Sequence, residues 1–97
     1  MIRHLVLFAF TEKARQEGPE AVLEKLRKSA ARMTGMIPGL LSAELNLNLA
    51  NGSSHGLVYY SEFDTLQSLD AYQTHPLHIA HKKFAADYVS SPVTADF

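Results

Sequence analysis

Nine residues near the start of the chain, Ile2 to Phe10, constrain the fold most. Side chains alternate across a strand. Ile2, Val6, Phe8 and Phe10 fall on one face, with His4 among them, and Leu5, Leu7 and Ala9 fall on the other. A strand apolar on both faces needs cover on both. The chain must therefore supply a layer for one face and find a second layer for the other.

The remaining segments supply the first layer. Gly18-Pro19 marks the start of a helix running to about Met33, with Leu23, Leu26, Ala30 and Met33 as its buried stripe. Glu24 and Lys28 form a favourable i,i+4 pair. Arg27, Lys28 and Arg32 read as a solvated helix face. Gly35 and Pro38-Gly39 end the element. Leu40 to Leu49 then alternates, with Leu41, Ala43, Leu45, Leu47 and Leu49 inward, which predicts a half-buried strand. Asn51-Gly52 is a hairpin signal, and His55 to Phe63 is the third strand, with Leu57, Tyr59, Ser61 and Phe63 on one face. Asp64 with Gln67 three residues on reads as a capping box opening a short helix that carries Leu66, Leu69 and Tyr72. A further helix from Pro76 carries Leu77, Ala80, His81, Phe84 and Tyr88. Val89 to Phe97 is the last strand, and Pro92 places it at a sheet edge.

The order β-α-β-β-α-β is the ferredoxin-like α+β pattern, an antiparallel four-stranded sheet with helices on one face. The helices leave Leu5 and Leu7 uncovered. An apolar patch of that kind is uncommon on a monomer. A homodimer with two sheets packed face to face is the expected assembly, a dimeric α/β barrel.

Ninety-seven residues fit one domain, residues 1–97, with a core small enough for oligomerisation to matter. A net charge of −1 argues against nucleic acid or an anionic membrane as partner. The absence of Cys excludes disulfides, thiolate metal sites and a thiol nucleophile. The apolar run Leu5–Phe10 is too short to span a membrane and has no small-residue cleavage site after it. The expectation is a cytoplasmic protein. There is no glycine-rich phosphate loop and no GxSxG elbow.

Three of the five histidines, His75, His78 and His81, fall within seven residues. Pro76 suits the first helical position and pushes His75 into the cap. His78 then lies in the first turn, where free N–H groups and the helix dipole disfavour a cation. A histidine held neutral suits a general base. His78 and His81 share HxxH spacing, but no third ligand stands at a fixed distance, so a metal is not expected. The last strand runs antiparallel to the first, so Asp96 should approach His4. Such a carboxylate can orient an imidazole.

Ile2-Arg3-His4-Leu5-Val6-Leu7-Phe8, Ile37-Pro38-Gly39-Leu40, Tyr72-Gln73-Thr74-His75-Pro76-Leu77-His78 and Asp96-Phe97, in that order and spacing, resemble the stress-responsive dimeric α/β-barrel (Dabb) domain family across essentially the whole chain. The resemblance implies a homodimer. It extends more distantly to the olivetolic acid cyclase-type polyketide cyclases, which close a ring by intramolecular aldol condensation without metal or organic cofactor. By that likeness Tyr72 and His78 match a catalytic pair, and His4 and Asp96 match polar residues of the same pocket. One departure lies in the third strand, where Leu57 stands in place of a pocket histidine and His55 is two residues earlier. The implied activity is proton abstraction next to a carbonyl, of cyclase or isomerase type, on a small apolar carbonyl or phenolic ligand. His78 would be the base and Tyr72 the hydrogen-bond donor. The alternative is a non-catalytic, stress-linked dimer. Related barrels also include monooxygenases and haem enzymes, so the fold alone does not choose.

Overall fold

The computed structural model describes residues Met1 to Phe97. Its elements are β1 (Ile2–Phe10), α1 (Glu12–Glu17), α2 (Pro19–Ala30), β2 (Leu40–Leu47), β3 (Leu57–Phe63), α3 (Leu66–Gln73), α4 (Pro76–Ala85) and β4 (Val89–Asp96). The four strands form one antiparallel sheet in the order β2-β3-β1-β4. This is the ferredoxin-like arrangement the sequence predicts, and β4, with Pro92, is an edge. The twice-apolar β1 sits inside the sheet, between β3 and β4.

One face of the sheet carries the core. Val6, Leu45, Leu57, Tyr59 and Phe63 meet Val22, Leu26 and Met33 from the α2 side and Leu69 and Tyr72 from α3. Burying each of the larger apolar side chains contributes roughly 1.5–3 kcal/mol. The opposite face stays open. Leu5 and Leu7 are half-buried, Val93 is 55% exposed, and nearly all of β4 is exposed. The apolar face expected to need a second layer is therefore present.

Local departures from the sequence reading have local causes. The helix α1 was not expected. It is six residues long and buries only Ala14, so it shows no apolar period; its start is set by Thr11, whose hydroxyl accepts from the Ala14 N–H. The helix α2 stops at Ala30, short of Met33. Met33 and Ile37 are nonetheless buried, carried inward by turns. In β2, Leu40 pairs with Phe63 and Ser42 with Glu62, so Leu41 is the extra residue of a bulge. Leu40 takes the inward position and Leu41 is 54% exposed. The strand ends at Leu47, and Leu49 lies exposed beyond it. The cap of α3 is Thr65, not Asp64: the Thr65 hydroxyl accepts from the Ser68 N–H. Leu66 is exposed while Leu69 and Tyr72 are buried. Along α4 the face turned inward carries His78 and Ala85, and Phe84 is 40% exposed, so the helix is rotated from the expected stripe.

Arg27 is exposed, as expected of a solvated face, and it also makes contacts the sequence does not show. Its Nε donates to the Leu45 carbonyl at 2.9 Å, and one terminal nitrogen donates to Asn46 Oδ1 at 3.0 Å. It ties α2 to β2. Sequence periodicity carries no signal for a side chain that reaches sideways to a strand.

Candidate functional site

Proline sets the register of the site. Pro76 occupies the first position of α4, and His75, in extended conformation, caps it with Nδ1 accepting from the Leu77 N–H at 3.1 Å. His78 follows in the first turn, as expected, and is 8% exposed. Its Nδ1 donates to the Gln73 carbonyl across a long 3.4 Å contact. A carbonyl only accepts, so Nδ1 carries the proton and Nε2 keeps the lone pair in the neutral ring. No buried side-chain nitrogen or oxygen lacks a partner, so this Nε2, which has no protein partner, is not sealed off, and His78 borders the cavity.

Burial is the main reason His78 stays neutral, pulling its pKa down to about 4; Lys82 and His81 nearby push the same way, against the Gln73 hydrogen bond. The direction is the one expected, but its leading cause is desolvation rather than the helix terminus.

Tyr72 comes from α3 and stacks on His78, with ring centroids 3.9 Å apart and planes 25° from parallel. It is 1% exposed. Its hydroxyl is 2.9 Å from the hydroxyl of Tyr59 on β3. Burial raises the pKa of both phenols, that of Tyr72 well above the usual tyrosine range, so both stay protonated at neutral pH.

His4 and Asp96 meet as the topology predicts. They are cross-strand partners on β1 and β4, and His4 Nδ1 donates to Asp96 Oδ1 at 2.5 Å. The His4 ring stands edge-on to Tyr59, Phe63 and Tyr72, at 6.1–6.3 Å between centroids.

These residues border one cavity of about 410 Å³ between the sheet and α4. His4, Tyr59, Tyr72, His78 and Asp96 give it a polar wall; Val6, Phe8, Leu45, Leu57 and Val89 give it an apolar one. The volume falls in the range of small-ligand sites, and an apolar lining with a few convergent polar groups is their usual composition. All four site residues expected from the sequence thus border the same space. Tyr59 was placed by the sequence only on the inward face of β3; its hydroxyl partner makes it part of the polar wall. The alternating pattern of β3 showed that Tyr59 faces inward but not what its hydroxyl would meet.

The histidine cluster separates. His75 caps α4; His78 and His81 both border the cavity, but His81 Nδ1 is turned to Ser29 Oγ on α2 at 2.8 Å. They do not converge on a point. His55 lies apart as well, with Nε2 donating to the Ser91 carbonyl at 3.0 Å. No helix is long and apolar enough to cross a membrane.

A ferredoxin-like sheet with a cavity under its helices describes the architecture. The chain belongs to the Dabb family, the stress-responsive A/B barrel domain, whose model matches residues 2–97. It is similar to a dimeric protein of unknown function with a ferredoxin-like fold from Bacteroides fragilis, at 28% identity and a TM-score of 0.83, over 99% of this chain and 93% of that one. It is similar also to a dimeric ferredoxin-like protein of unknown function from Thermobifida fusca, at 26% identity and a TM-score of 0.80, over 99% of this chain and 88% of that one. A hydroxynitrile lyase from Passiflora edulis shares the fold at 12% identity and a TM-score of 0.77, over 99% of this chain and 90% of that one. No curated protein matches the chain.

Proposed function

We propose that the cavity binds a small, largely apolar carbonyl or phenolic compound and that His78 removes a proton from the carbon next to its carbonyl. The observation that carries this reading is the neutral His78, its Nδ1 turned to the Gln73 carbonyl, stacked on Tyr72 in the wall of one cavity. The C–H bond breaks, the proton goes to Nε2, and the electron pair becomes an enolate. Tyr72, always protonated, donates to the enolate oxygen as its charge develops. His4, oriented by Asp96, edges the same space. These steps use only protons and need no metal or organic cofactor. The Passiflora lyase supports the reading to this extent, that the same fold hosts a lyase.

The low pKa of His78 narrows the substrate. A base near 4 is fully free at neutral pH but weak. It suits a carbon already acidified, flanked by two carbonyls or conjugated to an aromatic ring. Closure of the enolate onto a second carbonyl would make the reaction a cyclisation; return of the proton elsewhere would make it an isomerisation.

The working unit in this reading is a homodimer through the open sheet face. The apolar Leu5, Leu7 and Val93 support it, as do the dimeric relatives from B. fragilis and T. fusca.

A second reading, a non-catalytic dimer linked to stress, is favoured by one observation: Tyr72 is 1% exposed with its hydroxyl already bonded. A thermal-shift screen of phenolic acids, β-keto acids and lactones separates the two. A ligand at roughly a hundred times its Kd stabilises the fold by about 2.7 kcal/mol. Hits that weaken in His78→Ala or Tyr72→Phe support the enzyme. Loss of stability in those variants with no hit across the panel favours the structural dimer.

A further inference from the structure

We propose that Tyr59 is a positioning residue that donates its hydroxyl hydrogen to Tyr72, so that Tyr72 donates outward to a ligand oxygen carrying negative charge. This rests on the reading of the cavity as a carbonyl or phenol site, and it names the ligand class more closely: an oxygen acid, bound as its phenolate or enolate.

The argument begins from a count of hydrogens. Two hydroxyls 2.9 Å apart hold two protons, and the bond between them uses one. In the empty cavity either oxygen can be the donor. A bound oxyanion removes that freedom. His78 lies against the ring of Tyr72 and both line the cavity, so a ligand in reach of the base lies beside Tyr72. Tyr72 then turns its hydrogen to the ligand, and its oxygen accepts from Tyr59. The chain is oxyanion, Tyr72, Tyr59. Successive hydrogen bonds polarise one another, most strongly away from water. Tyr59 is 6% exposed and Tyr72 1%.

The surroundings suit Tyr59 to this: Ser61 hydrogen-bonds to its hydroxyl oxygen, which leaves the Tyr59 hydrogen for Tyr72. Its ring is fixed on β3 between its partners Val6 on β1 and Leu45 on β2, and Leu57 and Ser61 flank it on the same face. Burial keeps its proton on, so it is a donor across the whole working pH range. His4 meets Tyr59 by ring edge at 6.1 Å, with its own Nδ1 taken by Asp96. A phenylalanine would keep the ring and its packing but end the chain of donors at Tyr72.

The test uses 4-nitrophenol, at a pH where it is phenolate in water, and nitrobenzene, which has the same ring and nitro group without the oxygen. Affinities are measured for the wild type, Tyr59→Phe, Tyr72→Phe and the double variant. The wild type should prefer the phenolate. Tyr59→Phe should lower phenolate affinity by about tenfold, the scale of one hydrogen bond, and leave nitrobenzene unchanged. In the Tyr72→Phe background the same change should have no effect, because Tyr59 acts only through Tyr72. In the wild-type complex, two hydroxyl protons should move downfield in the proton NMR spectrum, a reading that does not depend on any variant folding. Equal loss for Tyr59→Phe in both backgrounds, or a single shifted proton, overturns the inference and leaves the proposed function standing. A wild type that does not favour phenolate over nitrobenzene, or binds neither, overturns both.

Discussion

The imidazole of His78 lies almost flat on the phenol of Tyr72, 3.9 Å between centroids and 25° between planes. The two come from different helices, α4 and α3, joined by a short turn at Thr74-His75. The stack makes one surface of two residues. It dries one side of the imidazole and leaves the ring edge for chemistry.

That desolvation should appear as acid sensitivity. The pKa of His78 falls from 6.5 in the unfolded chain to about 4 in the fold. Above pH 6.5 both states are neutral and nothing is lost. As pH falls from 6.5 toward 4 the unfolded chain takes the proton first, so stability declines and then levels off. His81, also lowered by burial, adds to the decline. Urea unfolding at stepwise pH should show a loss of about 1–2 kcal/mol for His78 after allowance for solvent screening. In His78→Gln that part of the slope should vanish.

If a turnover assay is found, His78→Ala should reduce kcat by about 10²–10⁴-fold, the usual worth of a positioned base. The dimer should persist by light scattering. The acid limb of kcat/KM in the wild type should fall near 4 rather than near 6.5.

Removing the carboxylate at Asp96 leaves His4, 6% exposed, with an unmatched N–H. Asp96→Ala should destabilise by about 1–3 kcal/mol, the penalty of a buried donor without a partner. Asp96→Asn keeps an acceptor oxygen and should lose less. Chemical denaturation of both variants gives the comparison.

Gly39 has φ of +82°, and a Cβ there would collide with the Ser68 side chain and sit 2.6 Å from Asp64 Oδ1. Conformation and space forbid a side chain together. Gly39→Ala should destabilise by about 2–4 kcal/mol, against little change for Gly52→Ala beyond its own φ of +80°, since no atom lies within 4 Å there.

Val93 stands 55% exposed on the open face. Val93→Arg should shift the assembly to monomer in light scattering while the circular dichroism stays native. A dimer unchanged by that substitution would place the interface elsewhere.

The sequence made the strand order and the inward face of β1 and β3 legible because both rest on period-two patterns in apolar residues. The pairing of His4 with Asp96 followed from topology alone. What escaped it depends on events one residue wide. The bulge at Leu41 moves one side chain out of an otherwise regular alternation. The inward face of α4 favours His78 and Ala85 over Phe84, because a helix rotation is set by its neighbours and not by its own composition. The hydroxyl contact of Tyr59 needs α3 laid over β3, which no linear pattern records.

The pairing of His4 with Asp96 joins residues 92 positions apart. A chain emerging from the ribosome exposes Tyr59, Tyr72 and His78 while Asp96 is still unmade, and β4 has yet to dock beside β1. Until it does, the cavity lacks a wall and His4 lacks its carboxylate. The cavity is therefore closed only once β4, the last of the eight elements to be made, is laid beside β1.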